Sequence, residues 1–183
     1  MTWFKLYADF VAKLRVPCGF VLVVTFAWLS RPSFASIVMG VPVSLAGLAL
    51  RAWAAGHLEK NQELARGGPY AFVRNPLYLG TSLVAAGLMV ASQRWVLAAI
   101  FAAVFLLVYL PVIELEEQHL RGLFPEFREY AERVPALYPA LRPLRREKRF
   151  QWLLYRKNRE YEALLGFAAG VGLLLLKAAY RSI

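Results

Sequence analysis

Apolar residues fall into five long blocks joined by shorter polar stretches, a pattern that predicts helices crossing a lipid bilayer. The first block begins at Phe10 or Val16 and ends at Leu29; Lys13 and Arg15 must snorkel if it begins early. Ahead of it, Trp3, Leu6, Tyr7, Phe10, Val11 and Leu14 recur at helical spacing and predict an interfacial helix over residues 1–15. The second, Phe34 to Ala55, is interrupted only by Pro42 and Arg51. The third, Leu77 to Ser92, is short for a hydrocarbon core that takes roughly 20 helical residues to cross. The fourth runs from Trp95 to Ile113 with Pro111 near its end, and the fifth from Ala163 to Tyr180 is apolar until Lys177. Ser92-Gln93-Arg94 leaves almost no loop, so the third and fourth blocks form a tight antiparallel hairpin.

The polar joints have order of their own. After Glu114, the residues Leu115, Leu120, Leu123, Phe124, Phe127, Tyr130 and Val134 keep near-helical spacing. The fourth helix is therefore expected to extend into water and to be followed by a short amphipathic helix on the membrane surface. Pro135, Pro139 and Pro143 end that helix and predict an extended strap. Residues 140–162 then form a basic interfacial segment, in which Arg145, Arg146, Lys148 and Arg149 precede Trp152, Leu153, Leu154 and Tyr155. Such a segment suits anionic headgroups.

Composition sharpens the class. Of 183 residues 59% are hydrophobic, against about 45–50% in a soluble domain, and the mean hydropathy is +0.45. The expected fold is a single-domain, all-α integral membrane protein with about five transmembrane helices. A net charge of +10 raises nucleic acid as a partner, but the placement of the charge argues for topology and anionic lipid instead. Seventeen lysines and arginines outside the spans fall on one side of the predicted membrane and four on the other. The positive-inside bias puts the N-terminus in the cytoplasm and the C-terminus outside, in what we expect to be the cytoplasmic membrane of a prokaryote. Met1 to Arg15 shows no cleavable signal peptide, and no obligate protein partner is evident. Cys18, the single cysteine, excludes an internal disulfide, and His57 and His119 are too isolated to suggest a metal site.

Chemistry concentrates at two places. Gly67-Gly68-Pro69-Tyr70 followed by Arg74-Asn75-Pro76-Leu77-Tyr78 packs turn formers, two tyrosines and an arginine between two apolar blocks. Gly68 allows a close approach to a ligand, Arg74 offers donors for a carboxylate or phosphate, and Asn75-Pro76 marks a loop-to-helix junction. An interfacial Arg/Tyr belt is the plainer reading of the same residues. The second place is Glu114-Leu115-Glu116-Glu117. On a helix Glu116 and Glu117 point about 100° apart, so they do not face one ligand group together. The plain alternative there is an ion pair from Glu117 to Arg121.

Together, GPYxxxRNPxYxG after a spanning helix, then a hairpin, then EExxLxxxF and FxxYxxxVP, resemble the isoprenylcysteine carboxyl methyltransferase and phospholipid methyltransferase superfamily. The resemblance covers residues 51–139 and implies a small membrane enzyme that uses S-adenosylmethionine and releases S-adenosylhomocysteine. It implies that Tyr70, Asn75, Pro76 and Tyr78 form the cofactor pocket together with the strand-like run Gln62, Glu63, Leu64 and Ala65. Lys60 would take the neighbourhood of a family glutamine, and Glu116 or Glu117 would meet the amino-acid end of the cofactor. Arg74 and Glu116 are the candidates for the reaction itself, Glu116 as a base for an amine or hydroxyl acceptor. The implied acceptor is a lipid or other hydrophobic molecule.

Two departures stand out. Asn75 occupies a position where the family usually has histidine, and Val112 or Ile113 stands where carboxyl-methylating members carry arginine. The second departure speaks against a carboxylate acceptor. Two other functions fit parts of the chain. Some sterol reductases share a related C-terminal architecture and use a nicotinamide cofactor, though no GxGxxG run is present here. A non-catalytic protein binding anionic lipid through Arg142–Arg159 would explain the basic segment and leave the central motif idle.

Overall fold

The computed structural model describes residues 3–144 and 149–181, with the side chains of residues 3–6, 8, 9, 15 and 181 left undescribed. Arg145, Arg146 and Lys148 of the basic segment therefore lie outside the described residues. Every regular element described is helical. The protein is an all-α integral membrane protein.

Helix α1 runs from Trp3 to Leu29 and α2 from Phe34 to Ala55. The described part of the segment expected to lie at the interface, residues 3–15, and the first apolar block form one unbroken helix, in which Lys13 lies at an exposed position. Ser33 and Ser36 open α2 with reciprocal caps, each side chain accepting from the other's backbone N–H. Helix α3 spans Pro76–Ser92, and α4 spans Trp95–Val104. A π-helical turn, Phe105–Tyr109, joins α4 to α5, Leu110–Leu123, without a break. Short helices α6, Phe127–Arg133, and α7, Trp152–Lys157, precede α8, Tyr161–Arg181.

Phe34–Ala55, Trp95–Leu123 and Tyr161–Tyr180 are long and apolar enough to cross a membrane, while Val16–Leu29 and Pro76–Ser92 are shorter apolar helices. All five apolar blocks of the sequence are thus helical. The hairpin turns at Gln93, whose φ of 53° is left-handed.

Helices α2 and α3 form the most extensive helix pair. Their contact needs residues without side chains: a Cβ on Gly40 would lie 2.2 Å from the Gly87 carbonyl oxygen, and one on Gly47 would lie 2.6 Å from that of Gly80. Ser44 Oγ donates to the Val84 carbonyl at 2.9 Å and Ser36 Oγ to that of Ala91 at 2.8 Å. Close backbone approach and interhelical hydrogen bonds are the usual means of helix association in lipid. The π turn stands where a helical backbone bond is missing. Pro111 has no N–H to give the Leu107 carbonyl four residues earlier, and the Tyr7 hydroxyl of α1 supplies a donor at 2.7 Å.

The fourth apolar block continues as helix to Leu123, and the short helix α6 follows it. Phe127, Tyr130 and Val134 are buried with Leu64, and Leu120, Phe124 and Leu144 pack against them. The proline-rich strap lies along the central motif: Arg74 and Asn75 donate backbone N–H groups to Pro135 and Ala136, and Ala140 and Leu144 donate to Phe72 and Ala71.

Candidate functional site

The two polar stretches singled out in the sequence meet at one cleft of about 820 Å³, inside the range of roughly 300–1,000 Å³ usual for small-molecule and cofactor sites. Its walls come from the end of α2, the 58–65 loop, the start of α3, α5, α6 and the joint before α8.

Arg74 joins the two halves. Its Nε and Nη2 donate to both oxygens of Glu117 at 3.0 and 2.9 Å, and Nη1 donates to the Ala131 and Val134 carbonyls at 2.8 and 2.9 Å. Asn75 Nδ2 donates to Glu117 Oε1 at 2.9 Å and to the Ala136 carbonyl at 3.2 Å. That explains why Asn75 makes no side-chain cap for α3, even though it stands at the N-cap position. Glu117 is 3% exposed, and such a buried carboxylate persists only when it is paired and hydrogen-bonded. Arg121 stands 3.7 Å away on its open side.

Arg74, Asn75, Glu116 and Glu117 all line the cleft. Glu117 is buried, with both oxygens engaged by Arg74 and Asn75. Glu116, one residue along, is exposed. The roughly 100° step between neighbours on a helix separates a structural carboxylate from an accessible one.

Other predicted residues divide similarly. Lys60, Glu63, Leu64 and Ala65 line the cleft, as do Tyr70, Pro76 and Tyr78. Gln62 does not; it is an exposed turn residue whose N–H donates to the Glu59 carbonyl. The expected strand-like run there is a turn followed by irregular chain. Gly68 also lies off the cleft. It has φ +56°, and a Cβ on it would sit 2.6 Å from the His57 ring, so the glycine serves packing of the loop on α2.

Burial holds the Tyr70 phenol protonated far above its ordinary range, with Tyr130, Glu160 and Glu116 adding to the effect and Arg51 opposing it. Burial also pushes Tyr130 upward, with Arg74 opposing and Glu117 adding. The Tyr130 hydroxyl donates to the Tyr70 carbonyl at 2.7 Å. Both phenols are neutral across the physiological range.

The cleft has further walls that sequence reasoning missed. Tyr109, at the end of the π turn, meets Tyr78 edge-on at 6.1 Å. Arg51 and Glu160 form an ion pair beside Thr81. Arg51 did carry a signal, as the one charged residue in the α2 sequence.

The sequence matches the phospholipid methyltransferase family over residues 14–126, the stretch that contains the loop, the hairpin and the α5 carboxylates. The chain belongs to this family. Its members use S-adenosylmethionine. Among relatives, this phospholipid methyltransferase family member is 36% identical over 116 residues to the cobalt-zinc-cadmium resistance protein CzcN of Cupriavidus metallidurans, covering 62% of this chain and 52% of that protein. It is 36% identical over 125 residues to the nickel-cobalt-cadmium resistance protein NccN of Alcaligenes xylosoxydans xylosoxydans, covering 67% and 57%. The matched region thus spans little more than half the length of these relatives. No solved structure matches the chain.

Proposed function

We propose that this protein transfers a methyl group from S-adenosylmethionine to a lipid or other hydrophobic acceptor at the membrane–cytosol interface. The observation that carries the reading is the cleft itself: aromatic, carboxylate and cationic side chains line one cavity at the ends of apolar helices.

Those residues fit the cofactor. Tyr70 and Tyr78 offer aromatic faces for a purine, the 63–65 loop offers backbone groups, and Glu116 offers a carboxylate for an ammonium. Lys60 provides the matching cation for a carboxylate. When bound, S-adenosylmethionine supplies a methyl group already activated by its positive sulfur. The protein therefore has to bind, orient and exclude water. The Arg74–Glu117–Asn75 network fixes the two halves of the site, and the α6 helix with its strap covers them. For an amine or hydroxyl acceptor, Glu116 takes the proton that the nucleophile loses.

We place the N-terminus and the cleft in the cytoplasm of a prokaryotic cell and the C-terminus across the inner membrane, in keeping with the positive-inside bias. The cofactor then reaches the cleft from water and the acceptor from lipid. Anionic headgroups around the 140–162 segment complete the expected surroundings. The relatives' names attach those proteins to metal resistance; our reading for this chain rests on the cleft and not on metal capture.

Titration of detergent-solubilised protein with S-adenosylhomocysteine tests the reading. We expect a dissociation constant in the micromolar range, about −8 kcal/mol, lost in Tyr78→Ala and weakened in Glu116→Gln. Folded protein that gives no binding signal would contradict it.

A further inference from the structure

The ion pair between Arg51 and Glu160 stands at the cleft without an assigned role. Arg51 projects from an otherwise uncharged helix, and Glu160, 8% exposed, stands in the joint just before α8. Glu160 and Asn158 lie beyond the residues that match the family, so this part of the wall comes from the chain's own C-terminal region.

A simple anchoring role is already filled by other contacts. The Gln151 N–H donates to the Gly56 carbonyl at 2.9 Å, and Asn158 Nδ2 donates to the Ala55 and Leu58 carbonyls at 2.9 and 3.0 Å. These bonds fasten the joint to the end of α2 without the ion pair. Pairs of buried charges also tend to return little net stability, because desolvation offsets the attraction.

The pair keeps one donor group and one acceptor unused. Arg51 Nε donates to Glu160 Oε1, and Nη1 donates to Thr81 Oγ1 and, at 3.4 Å, to the Leu77 carbonyl. Arg51 Nη2 and Glu160 Oε2 make no hydrogen bond among the described residues, and neither is sealed away from the cleft. Thr81 sits about one turn beyond Tyr78 on α3, which puts the pair on the side of the tyrosine toward the middle of that helix.

Resting on the methyl-transfer reading, we propose that Arg51 and Glu160 orient the acceptor, taking a polar end that both donates and accepts a hydrogen bond, a hydroxyl. Nη2 gives a hydrogen bond to one of its two lone pairs, leaving the other for the methyl group, and Oε2 receives one from its O–H. A carboxylate gains from Arg51 but is repelled by Glu160, so it is discriminated against.

The test uses full-length protein saturated with S-adenosylhomocysteine and two probes of one chain length, octanol and octanoate. We expect wild type to favour the alcohol. Glu160→Gln leaves Arg51 uncompensated and should shift the octanol-to-octanoate affinity ratio toward octanoate by at least about tenfold. Arg51→Gln leaves Glu160 uncompensated and should shift it the other way. Either variant suffices if the other does not fold, and cofactor-product affinity should stay within about twofold of wild type in both. Equal probe affinities in wild type, or ratios unchanged in a folded variant, would make the pair an anchor and overturn the inference alone. Failure of wild type to bind S-adenosylhomocysteine would overturn the methyl-transfer reading and this inference with it.

Discussion

Two adjacent glutamates at the end of α5 do different work. Glu117 is buried against Arg74 and Asn75, and removing one member of such a pair strands a charge. Glu117→Ala or Arg74→Ala should therefore destabilise the protein by about 3–5 kcal/mol, seen as a lower thermal midpoint in detergent. Glu116→Gln, at an exposed position, should lower that midpoint by much less and weaken S-adenosylhomocysteine binding. The tyrosines give a pH signature. Tyr70 and Tyr130 hold their protons more tightly when folded than the ordinary phenol value of 10.0. Their contribution is full below the unfolded value and declines as pH rises past it. Unfolding measured across alkaline pH should show stability falling above pH about 10, and less steeply in Tyr130→Phe. That variant also loses the hydroxyl bond to the Tyr70 carbonyl.

Among the elements, the α2–α3 pair is the least tolerant of added volume. A Cβ on Gly87 would lie 2.3 Å from Ser44 Oγ and 2.4 Å from the Gly40 carbonyl oxygen, whereas one on Gly170 of α8 meets nothing within 4 Å. Gly87→Ala should cost about 1–3 kcal/mol through overpacking, while Gly170→Ala should be neutral or slightly stabilising; thermal unfolding of the two variants decides. This contrast marks what was legible in the sequence. Each apolar block became a helix because lipid-facing backbone has to satisfy its hydrogen bonds within its own segment, and the hairpin at Ser92–Arg94 followed from loop length. The start of the first span was not legible, since a long side chain such as Lys13 can leave the bilayer without ending a helix. Nor was the π turn, which depends on Tyr7 reaching a carbonyl in a helix a hundred residues away. Motif density located the cleft, but it did not separate Glu116 from Glu117, nor did it reveal that Gly68 packs on His57. Arg51 and Glu160 are 109 residues apart and no local pattern joins them.

At the scale of the whole molecule, helices that satisfy lipid along their length end in polar groups, and those ends converge on one cavity. Lys177 of α8 shows how firmly the other end is tied: its ammonium donates to the Ala27 carbonyl and Ser30 Oγ at 2.7 and 3.1 Å, holding the last helix against the end of α1. The C-terminal end of α8 is expected outside the cytoplasm and the cleft inside it. Membrane-impermeant labelling of single cysteines placed at Lys60 and Tyr180 in a Cys18→Ser background should mark only the second in intact cells. The central claim is methyl transfer to a membrane component. Its most direct test is mass spectrometry of a native lipid extract incubated with the purified protein and methyl-labelled S-adenosylmethionine. We expect one hydrophobic species to gain the labelled methyl with wild type and to lose that gain with Tyr78→Ala. An extract whose species stay unlabelled, with protein that is folded and binds S-adenosylhomocysteine, would contradict the account.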